Sequence, residues 1–225
     1  AVLIATRHND HATYVIKTLE KGKPVFVEKP LAISEEQLEG VIKAAAKAGA
    51  GSVMVGFNRR FAPATALVKG HFAAVKSARQ ILIRINAGQI PADHWIHDPN
   101  VGGGRLLGEG CHFVDLAVAL AGAPVVSVQA MAIAKPGLVH ALWDDFSLQL
   151  TLADGSLATV IYTAIGDTGL AKERIEVSAG GRSAVIDDFL SVELWRDGKR
   201  VRKAWSKQDK GQKDQIAAWA DGLRA

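Results

Sequence analysis

The sequence predicts an α/β protein in two parts: a short parallel sheet with helical crossovers, then an α+β domain on a large, mainly antiparallel open sheet. Three observations predict it. Between Val2 and Phe57, short apolar runs alternate with amphipathic helical patterns, as in parallel strands joined by right-handed crossovers. From residue 126 onward, runs of period two are separated by Gly-Gly and Asp-Gly turns, as in an antiparallel meander. Polar residues follow each of the first three strands: Thr6 to His8, Glu28 with Lys29, and Asn58 to Arg60. In a parallel sheet these strand ends share one edge, where ligands bind.

In chain order, Val2 to Ala5 reads as the first strand. Asn9 or Asp10 can cap the next helix, whose apolar face is Ala12, Val15, Ile16 and Leu19 and which ends at Gly22. Val25 to Val27 forms the second strand. Glu28 and Lys29 lie at its carboxyl end, and Pro30, with no N–H for a ladder, stops it. That charge pair is either a solvated ion pair or part of a site. Ser34 and Gln37 have capping-box spacing, opening a helix with Leu38, Val41, Ile42 and Ala45 on one face and Gly49 at its end. Ser52 to Phe57 is the third strand.

Ala64 to Phe72 reads as a helix and Ala78 to Asn86 as a strand with Ile81, Ile83 and Ile85 on one face. The irregular stretch Pro91 to Pro99 contains His94, Trp95 and His97. It is either a functional loop or a surface loop anchored by Trp95. After Gly102, Gly103 and Gly104, a helix is expected over Leu106 to Leu120, weakened at its start by Gly108 and Gly110. Glu109, His112 and Leu116 share one face, as do His112 and Asp115. His112 is a candidate general base, since imidazole titrates near neutrality, or a core histidine bonded to a carbonyl. Strands are expected at 126–134, Phe146–Leu152, Leu157–Thr163, Arg174–Ser178, Ser183–Asp187 and Val192–Trp195, with a final helix over Gln212–Leu223. One sheet face should pack on the helix after the three glycines; the other is solvated or a subunit interface.

The chain has 225 residues, of which 48% are hydrophobic, enough for a packed core. No apolar run approaches the roughly 18 residues that span a bilayer, so no membrane partner is expected. The single cysteine, Cys111, precludes an internal disulfide and fits a reducing, cytoplasmic setting. A net charge of +4 includes a basic cluster from Arg196 to Lys213, which an exposed hairpin and solvated loop explain without nucleic acid. His94, His97, Glu109, Cys111 and His112 are metal-ligand types, but their spacing does not support a site, and no metal is expected.

The motifs Thr6 to His11, Val27-Glu-Lys-Pro-Leu31, Gly56-Phe-Asn-Arg-Arg60, and Gly102-Gly-Gly followed by His112 and Asp115 together resemble the Gfo/Idh/MocA family of NAD(P)-dependent oxidoreductases. The resemblance implies a Rossmann domain, here residues 1–57, and a substrate and oligomerisation domain, here 58–225. It implies NAD or NADP as cofactor, and hydride exchange with a sugar, cyclitol or nucleotide-sugar hydroxyl. Lys29, His112 and Glu109 would be catalytic. Thr6, His8, His11, Glu28, Lys29 and Pro30 would line the cofactor; Arg59, Trp95, His97 and Asp115 would face the substrate. A homodimer or tetramer through the antiparallel sheet is expected. The Lys29–Pro30 bond is cis in many members.

Two features depart from the family pattern. Gly108 stands where many members carry an aspartate four residues before the histidine, with Glu109 either substituting for it or bonding the backbone. No G-x-G-x-x-G turn is present, and the chain opens on a strand, so the first βαβ half is expected to be absent and cofactor binding by this stretch poor. The wording around His94–His97 and Gly108–Phe113 is similar to a subgroup fused behind an alcohol-dehydrogenase-like region. The alternative to an oxidoreductase is a non-catalytic sugar-recognition or oligomerisation module of a larger protein.

Overall fold

The structure, a computed structural model, describes residues 1–49, 51–134, 137 and 142–224. Its first unit is a parallel sheet of β1 (Val2–Ile4), β2 (Val25–Val27) and β3 (Val53–Val55), with β2 in the centre. The crossover helices α1 (His8–Glu20) and α2 (Glu35–Ala48) pack on each other. Strand alternation divides β2 between two layers. Val25 and Val27 join Ile4, Val15 and Val41 under the helices. Phe26 faces the other way and meets Trp219 of α5 (Gln212–Gly222), the ring centroids 5.6 Å apart.

Three local expectations are revised. Neither Asn9 nor Asp10 caps α1; the cap is Arg7, without a side-chain bond, and the Asn9 N–H donates to Val101 O at 3.1 Å. A tertiary contact thus takes the place of a cap. At α2, Ser34 Oγ accepts the Gln37 N–H as expected, but Gln37 Oε1 reaches Ile33 N, one residue upstream of the box position. Of that helix's apolar face only Val41 is buried, and Leu38 and Ile42 are exposed.

The second unit is an eight-stranded sheet in the order β11-β10-β9-β8-β4-β7-β6-β5. Its strands are β4 (Gln80–Asn86), β5 (Val125–Ala132), β6 (Phe146–Leu152), β7 (Leu157–Thr163), β8 (Glu173–Ala179), β9 (Arg182–Asp187), β10 (Ser191–Arg196) and β11 (Lys199–Ala204). All neighbours are antiparallel except β4 and β7, which run parallel. Ile81, Ile83 and Ile85 point to one face, as the alternation predicts, and are fully buried against α3 (Pro63–His71) and α4 (Cys111–Ala121). Among the described residues the opposite face has no helix on it, and it exposes Met131 and Ile161.

The expected continuous helix over 106–120 is broken at its start. Leu106–Gly110 is a π-helical turn, and α4 proper begins at Cys111. Such wide turns recur at functional sites. At Gly110 a Cβ would lie 3.1 Å from Phe146 Cζ, so the turn lies flat on the sheet.

The two units are joined by the 3-10 turn Asn58–Phe61 and by α5, which returns from the end of the chain. Gln215 Nε2 donates to Val55 O at 3.0 Å, and Asn58 Nδ2 to Lys210 O at 2.9 Å. Arg59 in that turn bonds Glu173 of β8 through Nε at 2.7 Å and Nη2 at 2.8 Å; Lys210 Nζ adds a third bond at 2.6 Å. Glu173 is fully buried. Burial pushes its carboxyl up, but Arg59 and Lys210 outweigh burial and hold it below the ordinary glutamate range. A depressed folded pKa gives stability that is present above the unfolded value and lost as pH falls through the folded one. Glu173→Gln should therefore cost about 3–5 kcal/mol at neutral pH, the usual loss on breaking a buried pair. In urea unfolding, the gap to the parent should narrow below the ordinary glutamate range.

Candidate functional site

The site lies at the carboxyl edge of the small sheet, where the second unit closes over it. Lys29 follows the end of β2 in a bend, and the Lys29–Pro30 peptide is cis. The Lys29 ammonium donates to Gly108 O in the π-helical turn at 2.6 Å. Gly108 is bare because a Cβ there would lie 2.8 Å from Ile96 Cδ1 and 3.0 Å from His8 Cε1. A side chain there would have to displace the Ile96 and His8 side chains, and the Gly108 carbonyl is the oxygen Lys29 uses.

The strand-end loops are tied together by histidines of α1. His11 Nδ1 lies 2.7 Å from Pro30 O and its Nε2 3.1 Å from Thr6 O, bridging the ends of β1 and β2. His8 Nδ1 lies 2.8 Å from Gly102 O, which fixes the N–H on Nδ1. Burial, with Lys29 and His11 adding to it, holds the His8 pKa below its ordinary value against the Gly102 bond. Trp95 packs edge-on to His8 with centroids 4.7 Å apart, so the 91–99 stretch covers this sheet edge. His97 Nδ1 stands 3.9 Å from Asp144 Oδ1. The Glu28 carboxyl lies against Gly56, where a Cβ would come within 2.9 Å of Glu28 Oε2. The Thr6 hydroxyl is exposed.

His112 sits one helical turn beyond Gly108, at the start of α4. It is buried, edge-on to Phe57, and its Nδ1 has no partner among the described residues. The core-histidine alternative required a carbonyl partner, and none is seen at that nitrogen. Burial first, then Arg59, Lys29, Lys172 and Lys210, lowers its pKa to about 2. The ring is therefore a neutral acceptor and does not titrate near neutrality.

Other expected site residues are engaged elsewhere. Arg59 is held by Glu173. Asp115 is gripped by Arg60, with Nε at 2.9 Å and Nη2 on its other oxygen; burial nonetheless raises its pKa. Glu109 bonds side chains and not the backbone, and Lys29 is among the charges that bear on it. It accepts from the Tyr162 hydroxyl at 2.8 Å and pairs with Lys172 at 3.5 Å and Arg105 at 3.6 Å. Burial pushes Glu109 up, but those partners outweigh it and hold it low. Burial also raises Tyr162, and it pushes the Cys111 thiol up to about 11. Arg105, Tyr162, Lys172, Glu173 and Lys210 gave no sequence signal as site residues. Only Tyr162, a phenol at an inward position of an alternating strand, could have been flagged as needing a polar partner. Among the described residues, no group of three or more His, Cys, Asp or Glu could hold a metal ion, and no helix is long and apolar enough to cross a membrane.

A strand-end lysine and a buried imidazole thus meet in an α/β fold that joins a small parallel sheet to a large, mostly antiparallel one. Residues 1–57 match the oxidoreductase family with NAD-binding Rossmann fold, and 67–181 match the GFO/IDH/MocA C-terminal domain. The chain belongs to the Gfo/Idh/MocA family. It is 31% identical over 211 residues to an inositol 2-dehydrogenase of Rhizobium meliloti, covering 86% of this chain and 59% of that one. An oxidoreductase domain protein from Kribbella flavida superposes with a TM-score of 0.76 at 27% identity, over 91% of this chain and 60% of that one. A levoglucosan dehydrogenase in complex with NADH and levoglucosan has the same fold, with a TM-score of 0.79 at 21% identity over 100% of this chain and 70% of that one. The chain spans 37% to 59% of the lengths of the curated inositol dehydrogenases that it matches over more than half of its own length.

A neutral His112 has a direct spectroscopic consequence. Its ring proton shifts should stay at neutral-imidazole positions from about pH 8 to about pH 5, while an ordinary histidine titrates near 6.5. A midpoint inside that window would contradict the packing described.

Proposed function

We propose that this chain belongs to an NAD(P)-dependent oxidoreductase that moves a hydride between a nicotinamide and a secondary hydroxyl of a sugar or cyclitol. The observation that carries this reading is the Lys29 ammonium on Gly108 O, one helical turn from a buried imidazole with an unpartnered nitrogen. The nicotinamide end of a dinucleotide fits that donor set. Thr6, His8, His11, Glu28, Lys29 and Pro30 would hold it at the sheet edge, and when bound it supplies the hydride acceptor. Residues 1–57 are the part of the cofactor domain in this chain and 58–225 the substrate domain, with α5 reaching back to brace the first.

In the oxidative direction the alcohol must lose a proton as hydride leaves. Lys29 places a fixed positive charge at that oxygen and favours the developing alkoxide. His112, neutral at working pH, accepts the hydroxyl proton. The surrounding cations disfavour a lasting imidazolium, so His112 passes the proton on and does not store it. Gly108 O steadies Lys29 where other members use a carboxylate. Trp95 and His97 roof the cleft. Arg59 and Asp115 act by holding the 58–61 turn and α4 in place.

The exposed apolar outer face of the large sheet supports a homodimer or tetramer through that face. A monomer mass in sedimentation at micromolar concentration would contradict it. The single cysteine supports a reducing, cytoplasmic setting.

In the native full-length protein, Lys29→Ala and His112→Ala should each lower turnover by about 100-fold or more, the scale of lost acid–base help. Calorimetric titration with NAD and NADP should show one of them binding. Near-normal turnover in both variants would contradict the assigned roles.

A further inference from the structure

Among the described residues, the cations around His112 outnumber the carboxylates that pair with them. Lys29, Arg59, Lys172 and Lys210 all bear on the imidazole, and Arg105 lies behind Glu109. Among the described residues, two carboxylates pair with four of these five cations. Glu173 is shared by Arg59 at 2.7 Å and Lys210 at 2.6 Å. Glu109 is shared by Lys172 at 3.5 Å and Arg105 at 3.6 Å, while also taking the Tyr162 hydroxyl. Lys29 has a backbone carbonyl and, among the described residues, no carboxylate within ion-pair distance. Of the other nearby acids, Asp115 faces Arg60 and Glu28 faces Gly56, while Asp188 takes the Glu173 N–H at 3.2 Å and is also felt by Lys210. Two buried polar atoms here, His112 Nδ1 and Arg105 Nε, have no partner among the described residues.

Cations partly withdrawn from water and lacking counter-ions are costly. An oxidised nicotinamide would add one more positive charge. A neutral polyol leaves the imbalance in place, whereas an anionic substrate corrects it. The cation best placed to receive an anion is Lys172. Its side chain is 39% exposed, against 15% for Lys210, 9% for Arg59 and 1% for Arg105, and its distance to Glu109 is long for a charge-assisted bond. With the shared Glu109 carboxylate beside it, this lone ammonium suits a singly charged group better than a dianion.

We propose that the substrate is a sugar acid whose carboxylate seats on Lys172 Nζ, with its reacting hydroxyl between Lys29 and His112. This deepens the oxidoreductase reading and rests on it for the second contact. The test is calorimetric titration of the chain and of its K172Q and K172R variants with D-glucuronate and with myo-inositol, at low and high salt. The parent chain should bind glucuronate at least about 10-fold more tightly than myo-inositol at low salt, with the margin shrinking as salt screens the pair. K172Q should bring the two ligands within about two-fold of each other, and K172R should keep most of the margin. Binding of myo-inositol as tight as glucuronate, binding of neither, or a margin that survives K172Q would overturn the proposal. Glucuronate binding by the native full-length protein without hydride transfer would overturn the redox reading and leave this one standing. Turnover of neutral polyols with no preference for the acid would do the reverse.

Discussion

One bond between the small-sheet unit and the large-sheet unit anchors the site: Lys29 Nζ to Gly108 O, 2.6 Å long. Its donor comes from the end of a three-residue strand and its acceptor from a π-helical turn in another structural unit. For the two to meet, the turn must lie against the sheet edge. It can do so because Gly108 and Gly110 offer no Cβ to Ile96, His8, Phe146 or Leu106. His112 then follows by helical geometry and lands beside the same ammonium. The site is thus a consequence of close backbone approach, with the charged side chains arranged around it.

The ion pairs around this contact hold the two sheets in register. Arg59 and Lys210 converge on Glu173, linking the 58–61 turn, the approach to α5 and strand β8. Arg60 and Asp115 link that turn to α4. These pairs are buried or half-buried, so their loss is felt more than that of exposed pairs such as Lys43–Glu39. They also fix the electrostatics of the cleft. Burial first, with the cations clustered near His112 adding to it, keeps the imidazole neutral, and those cations favour negative charge on whatever binds next to it.

The architecture was legible in the sequence because hydrophobic periodicity is a local signal. The strand-helix-strand-helix-strand opening, the inward Ile81, Ile83 and Ile85, and the meander after residue 126 all follow from spacing. The motifs around Lys29 and His112 could be read the same way, since strand ends in a parallel sheet converge by topology. What could not be read was pairing between distant loops. Nothing in the sequence near Lys172, Glu173 or Lys210 marks them as neighbours of His112, and Arg59 looked available until Glu173 was placed against it. The state of His112 was also hidden: imidazole alone indicates titration near neutrality, and the opposite follows only from burial and four surrounding cations. The two glycines of the π-helical turn looked like helix weakeners, and their sequence gave no hint of the close packing they permit.

The account turns on whether the ammonium of β2 and the imidazole of α4 serve one oxygen. The most direct measurement is a crystal structure of the native full-length protein with reduced cofactor and substrate. It should place a single substrate hydroxyl within about 3.2 Å of both Lys29 Nζ and a ring nitrogen of His112. A ligand bound with its hydroxyl out of reach of Lys29 Nζ and His112 walled off from it would contradict the account.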